Sequence, residues 1–69
     1  MHALIEDFIA DAVQRYQIIT QTTPDGLLIE CLDFDNNLLM SRKLSNSQLK
    51  NRLLLDAVIR DLRSQLRLY

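Results

Sequence analysis

Only one cysteine occurs in this sequence, Cys31, so no internal disulfide can form. There is one histidine, His2, placed too near the start of the chain to be held as a catalytic base or a metal ligand. The single glycine, Gly26, excludes a glycine-rich phosphate loop. No apolar run approaches the roughly 20 residues that a membrane-spanning helix needs. A secretory signal is not expected either, because Glu6, Asp7 and Asp11 interrupt the first apolar residues and no basic segment precedes them. These absences predict a cytoplasmic protein with no cofactor, no metal and no catalytic residue. The neighbouring acids Glu6/Asp7 and Asp33/Asp35 read as solvated side chains.

A chain of 69 residues is expected to form one domain over 1–69, and a domain of that size buries only about 60% of the surface its unfolded chain exposes. With disulfide and metal set aside, association of copies is the remaining route to extra stability. The charge pattern points the same way. Residues 1–35 carry Glu6, Asp7, Asp11, Asp25, Glu30, Asp33 and Asp35 against Arg15 alone. Residues 36–69 carry Arg42, Lys43, Lys50, Arg52, Arg60, Arg63 and Arg67 against Asp56 and Asp61. The formal net charge of −1 therefore hides two complementary halves, suited to folding on each other or to pairing between copies.

The apolar spacing of Leu4, Ile5, Phe8, Ile9, Ala12 and Val13 predicts a helix over 3–14. From Tyr16 the chain becomes β-branched and alternating, which predicts a strand over 16–22. Pro24, Asp25 and Gly26 supply hairpin-turn chemistry. A second strand over 27–33 places Leu27, Ile29 and Cys31 on one side and Leu28, Glu30 and Leu32 on the other. Asp35, Asn36 and Asn37 make the next tight connection, leading to a third strand over 38–44. Ser45 and Gln48 form a capping box, with Leu44 and Leu49 as its hydrophobic staple, and open a helix over 46–67. Asn51 is the position where that helix either continues or breaks. The expected fold is a two-layer α+β domain, αβββα, in which a three-stranded antiparallel meander is covered on one face by both helices.

At roughly 100° per residue, Arg52, Arg60, Arg63 and Arg67 share one narrow face of the last helix, away from the core stripe of Leu55, Val58, Ile59, Leu62 and Leu66. Guanidinium groups in a row suit an acidic protein surface, and Asp56, four residues from both Arg52 and Arg60, also allows ordinary surface ion pairs. Leu53, Leu54 and Leu68 fall outside the core arc, and Leu28, Leu32 and Phe34 fall on the sheet face away from the helices. A line of such residues predicts self-association as a homodimer. The preferred function is that of a small non-enzymatic regulatory or adaptor protein acting through protein–protein contact.

The alternative is a double-stranded-RNA-binding module. Helix, three strands, helix is the layout of that family, and Arg42, Lys43, Lys50 and Arg52 gather near the start of the last helix, where such a module grips phosphates. Its Gly-Pro-His segment is missing, and TTPDG is too short to reach a minor groove. The run from Tyr16 through Pro24-Asp25-Gly26, Arg42, Ser45, Gln48-Leu49, Val58-Ile59 and Leu62-Arg63 to Leu66 resembles a family of small bacterial proteins catalogued as domain of unknown function 3509. The resemblance covers residues 16 to 66 and implies a cytosolic bacterial protein with no known activity.

Overall fold

The computed structural model describes residues 3–68, so His2 lies outside the described residues. Its elements in chain order are α1 (Ala3–Ala12), β1 (Gln17–Thr23), β2 (Gly26–Leu32), β3 (Leu38–Ser45), α2 (Asn46–Lys50) and α3 (Arg52–Gln65). The strands form one antiparallel sheet in the order β1-β2-β3, the expected meander. Ile5, Phe8 and Ala12 of α1, Leu27, Ile29 and Cys31 of β2, Leu44 of β3, and Leu55, Val58, Ile59 and Leu62 of α3 close a single apolar core with Leu66 and Leu68. The alternation of β2 thus puts its inner residues under both long helices, and Leu28, Glu30 and Leu32 on the other face.

Two turns are set by backbone conformations that few residues adopt. Gly26 has φ 156°, and it stands opposite both Thr23 of β1 and Ser45 of β3. Asn46 fastens the turn to α2: its backbone N–H donates to the Asp25 carbonyl at 2.8 Å and its Nδ2 to the Pro24 carbonyl at 3.2 Å. Between β2 and β3, Asn36 takes φ 67°, and the Asp33 carboxylate accepts the backbone N–H groups of Asp35 and Asn37, each at 2.9 Å. The Asn37 backbone and side-chain donors, with the Asp35 N–H, hold the Asp33 carboxyl below its ordinary range. Asp33 is therefore a loop organiser rather than a merely solvated acid.

The capping box forms as expected: Ser45 Oγ accepts the Gln48 N–H at 3.1 Å, and Gln48 Oε1 accepts the Ser45 N–H at 2.8 Å. Asn51 breaks the helix. Its φ of −105° and ψ of 109° end α2, while its Oδ1 accepts the N–H groups of Leu53 and Leu54 at 3.0 and 3.2 Å and so starts α3. One asparagine serves two helix ends because its short amide replaces the carbonyl that the turn would otherwise supply.

The strands agree with the sequence reading to within one residue at each end, and the larger departures are at the helix ends. The first helix ends at Ala12 rather than at residue 14, which leaves Val13 48% exposed instead of in the apolar stripe. The last helix ends at Gln65 rather than 67, and Leu68, expected on the exposed side, is buried at 8% exposure. The cause is Arg67 at φ 57°, which reverses the chain: the Leu68 N–H donates to the Arg63 carbonyl at 2.8 Å and the Arg67 N–H to the Ser64 carbonyl at 3.2 Å. This is a Schellman ending in which arginine occupies the left-handed position usually held by glycine. Leu68 consequently belongs to the core and is unavailable for self-association. Tyr16 secures the same corner, donating its hydroxyl to the Leu66 carbonyl at 3.0 Å.

A left-handed arginine costs backbone energy that glycine would not. Arg67→Gly is therefore expected to stabilise the domain by about 0.5–1 kcal/mol, raising Tm by a few degrees. Thermal unfolding followed by circular dichroism checks this, and a lowered Tm would show that the Arg67 side chain contributes more than its backbone conformation costs.

Candidate interaction surfaces

The four arginines expected on one face of the last helix do not share one environment, and Arg67 lies beyond the end of α3, where the left-handed reversal takes it off that face. Arg63 reaches across to α1, where its Nη1 lies 2.8 Å from Asp11 Oδ2 and its guanidinium carbon 5.9 Å from the centre of the Phe8 ring. Arg60 pairs along its own helix with Asp56 at 3.0 Å. Arg52 and Arg67 make no ion pair among the described residues. Arg63 is thus a bridge between the acidic and basic halves, while Arg52, Arg60 and Arg67 remain exposed to solvent. Around the bridge, Asp11, Gln14, Arg15, Arg63, Arg67 and Leu68 line an open cleft of about 440 Å³. Two helix C-termini meet there, and cationic side chains suit the negative ends of their dipoles.

The basic group expected near the start of the last helix is divided by the pleat. Arg42 stands opposite Ile29, on the helix side of the sheet, and its Nη1 lies 2.8 Å from Asp61 Oδ2 of α3. Lys43 stands opposite Leu28, on the other face. Lys50 and Arg52 flank Asn51 and are exposed.

Apolar surface outside the core is more extensive than the sequence predicts. Leu53 is 83% exposed and Leu54 48%, as expected for residues off the core stripe. Leu28 and Leu32 lie half-buried on the open sheet face, and Phe34 is 66% exposed beyond its edge. To these the structure adds Ile19, Leu38 and Leu39, each at least half exposed. Ile19 stands opposite Glu30 and Leu38 opposite Leu32, on the face away from the helices. The signal for them is present in the sequence, since Ile18-Ile19 and the LLMS stretch are apolar on both parities of a strand, whereas a sheet with one solvated face alternates. Cys31 is fully buried beneath the helices, and burial pushes its thiol pKa up.

By fold and chain order this is a small two-layer α+β domain of the αβββα kind, with a three-stranded meander and a split second helix. The chain belongs to the family described as Protein of unknown function (DUF3509), whose model matches residues 4–69 and so takes in α1 as well as the strands and later helices. Comparison with curated proteins found no match, and comparison with solved structures found none. Among the described residues no helix is long and apolar enough to cross a membrane.

Proposed function

We propose that this chain is a non-enzymatic protein of the bacterial cytoplasm that works through protein–protein contact, as a homodimer in a regulatory or adaptor role. The observation that carries this reading is apolar surface left outside a core that is already closed. Ile19, Phe34, Leu38, Leu39, Leu53 and Leu54 are each 48–83% exposed, while Leu55, Val58, Ile59 and Leu62 fill the helix side. For a domain of 69 residues, covering such surface adds about 25 cal/mol per Å² of apolar area removed from water. Arg52 and Arg67, which make no ion pair among the described residues, and the exposed Arg60, which pairs with Asp56 along its own helix, are the guanidiniums that would meet an acidic partner, and Arg63 supports them by fixing α3 against α1. The runner-up, binding of double-stranded RNA, rests on Lys43, Lys50 and Arg52, with Arg42 engaged by Asp61.

Solution mass by light scattering across a range of protein concentrations, with and without double-stranded RNA at low salt, separates the two. A dimer unaffected by RNA is the expected result. A monomer that gains mass only with RNA, steeply lost as salt rises, would replace this reading with the runner-up.

A further inference from the structure

The two edges of the sheet are built differently. β3 carries Arg42 and Lys43, and its ladder with β2 shifts register at Cys31/Leu32. Charges and irregularities of this kind keep an edge from pairing with another chain. β1, Gln17–Thr23, has no charge, proline, glycine or bulge, and its seven residues pair with β2 in unbroken register. The two-residue connection makes Thr23 and Gly26 a hydrogen-bonded pair, so the alternation of an antiparallel ladder turns the backbone N–H and C=O groups of Ile18, Thr20 and Thr22 away from β2. Thr20 and Thr22 belong to the helix side of the sheet yet are exposed, so neither helix overhangs the centre of this edge.

We infer that β1 is the dimer contact, pairing antiparallel with β1 of a second copy about a two-fold axis at Thr20. This rests on the self-association reading above and names its geometry. Centring on Thr20 is the register that uses the whole strand: Thr20 faces the partner's Thr20, and Ile18 faces the partner's Thr22, all of them residues with outward backbone groups. About six backbone hydrogen bonds form between the copies. Ile19, half exposed in the single chain, becomes a diagonal neighbour of the partner's Ile19 on the open face.

Charge selects a second copy as the occupant. In this register the turn that carries Arg15 into β1 comes beside the partner's hairpin turn that carries Asp25, within reach of a long guanidinium side chain, and the two-fold repeats the juxtaposition. Both residues are exposed, and neither side chain has an ion-pair or hydrogen-bond partner among the described residues. A β3-to-β3 contact would instead bring the Arg42 and Lys43 segments of two copies together.

The test is solution mass and dimer dissociation for the full chain and four variants. Thr20→Pro removes an outward N–H that the single chain does not use, and is expected to weaken the dimer by about a hundredfold or more while leaving the far-ultraviolet circular dichroism of the domain intact. Arg15→Asp and Asp25→Arg are each expected to weaken it by about tenfold, and the double variant to return within about threefold of the parent. If Thr20→Pro fails to fold, the charge set decides alone, because it touches only exposed side chains. A dimer indifferent to all four changes would overturn the β1 contact and leave self-association standing on another face. A parent chain monomeric at every concentration would overturn both. A monomer that instead pairs through β1 with an added strand-forming peptide, in a manner blocked by Thr20→Pro, would assign the edge to a foreign strand and overturn the choice of a second copy.

Discussion

Gly26→Ala is expected to remove a large part of the domain's stability and to move its unfolding midpoint far down. A methyl group at this position would sit 1.9 Å from the Leu44 carbonyl oxygen, 2.9 Å from its carbonyl carbon and 3.1 Å from the Ser45 carbonyl carbon. These are backbone atoms of β3, so no rotamer change makes room. The backbone strain adds to the clash, since φ of 156° is a region that residues with a Cβ rarely adopt. Relief requires the end of β3 to peel away, withdrawing the buried Leu44 from the core and Ser45 from its cap on α2. The cost is about 3 kcal/mol or more. A domain of this length holds only roughly 4–10 kcal/mol in total. Urea unfolding followed by circular dichroism measures the loss, and Ser47→Ala, at an exposed position on α2, is the control expected to shift the midpoint little. An alanine variant with the parental midpoint would mean that β3 does not close on this turn.

The second large effect is expected at Phe8. Its ring is the largest fully buried side chain among the described residues, with the Arg63 guanidinium over one face. Phe8→Ala removes the ring from the contact between α1 and the rest of the core, at a cost of about 3–5 kcal/mol, and also takes away the surface on which Arg63 lies. Phe8→Leu keeps most of the volume and is expected to cost about 1–1.5 kcal/mol. The ordering of the two midpoints in denaturant is the readout. If Phe8→Ala costs less than about 1 kcal/mol, α1 is not part of the cooperative core, and the Arg63–Asp11 bridge joins a loosely docked helix.

What the sequence reading captured is what local chemistry specifies. The Pro24-Asp25-Gly26 turn, the alternation of β2 and the Ser45/Gln48 capping box each follow from residues within a few positions of one another. Asn51 was legible as the point of decision, but its two roles as cap depended on where α3 finds its core. The misses have a common origin. The helical period carried through Arg67 puts Leu68 on the exposed side, and an arginine in the left-handed region has no local signature comparable to glycine. Arg63 and Arg42 looked like parts of basic surfaces until the fold brought Asp11 and Asp61 to them, over sequence separations of 52 and 19. The difference between the two sheet edges was written in QIITQTT and LLMSRKLS, but it acquires meaning only once the strand order makes β1 and β3 the outer strands.

The position of Cys31 gives the molecule a built-in clock for its own opening. The thiol sits on the inner side of the central strand with no exposed surface, and burial raises its pKa, so both access and thiolate are suppressed in the folded state. A thiol reagent can reach it only when β2 parts from the helices that cover it. Its labelling rate therefore counts excursions of the whole core and is blind to fraying at either end, which makes the slowest cooperative motion of the domain readable from a single native atom.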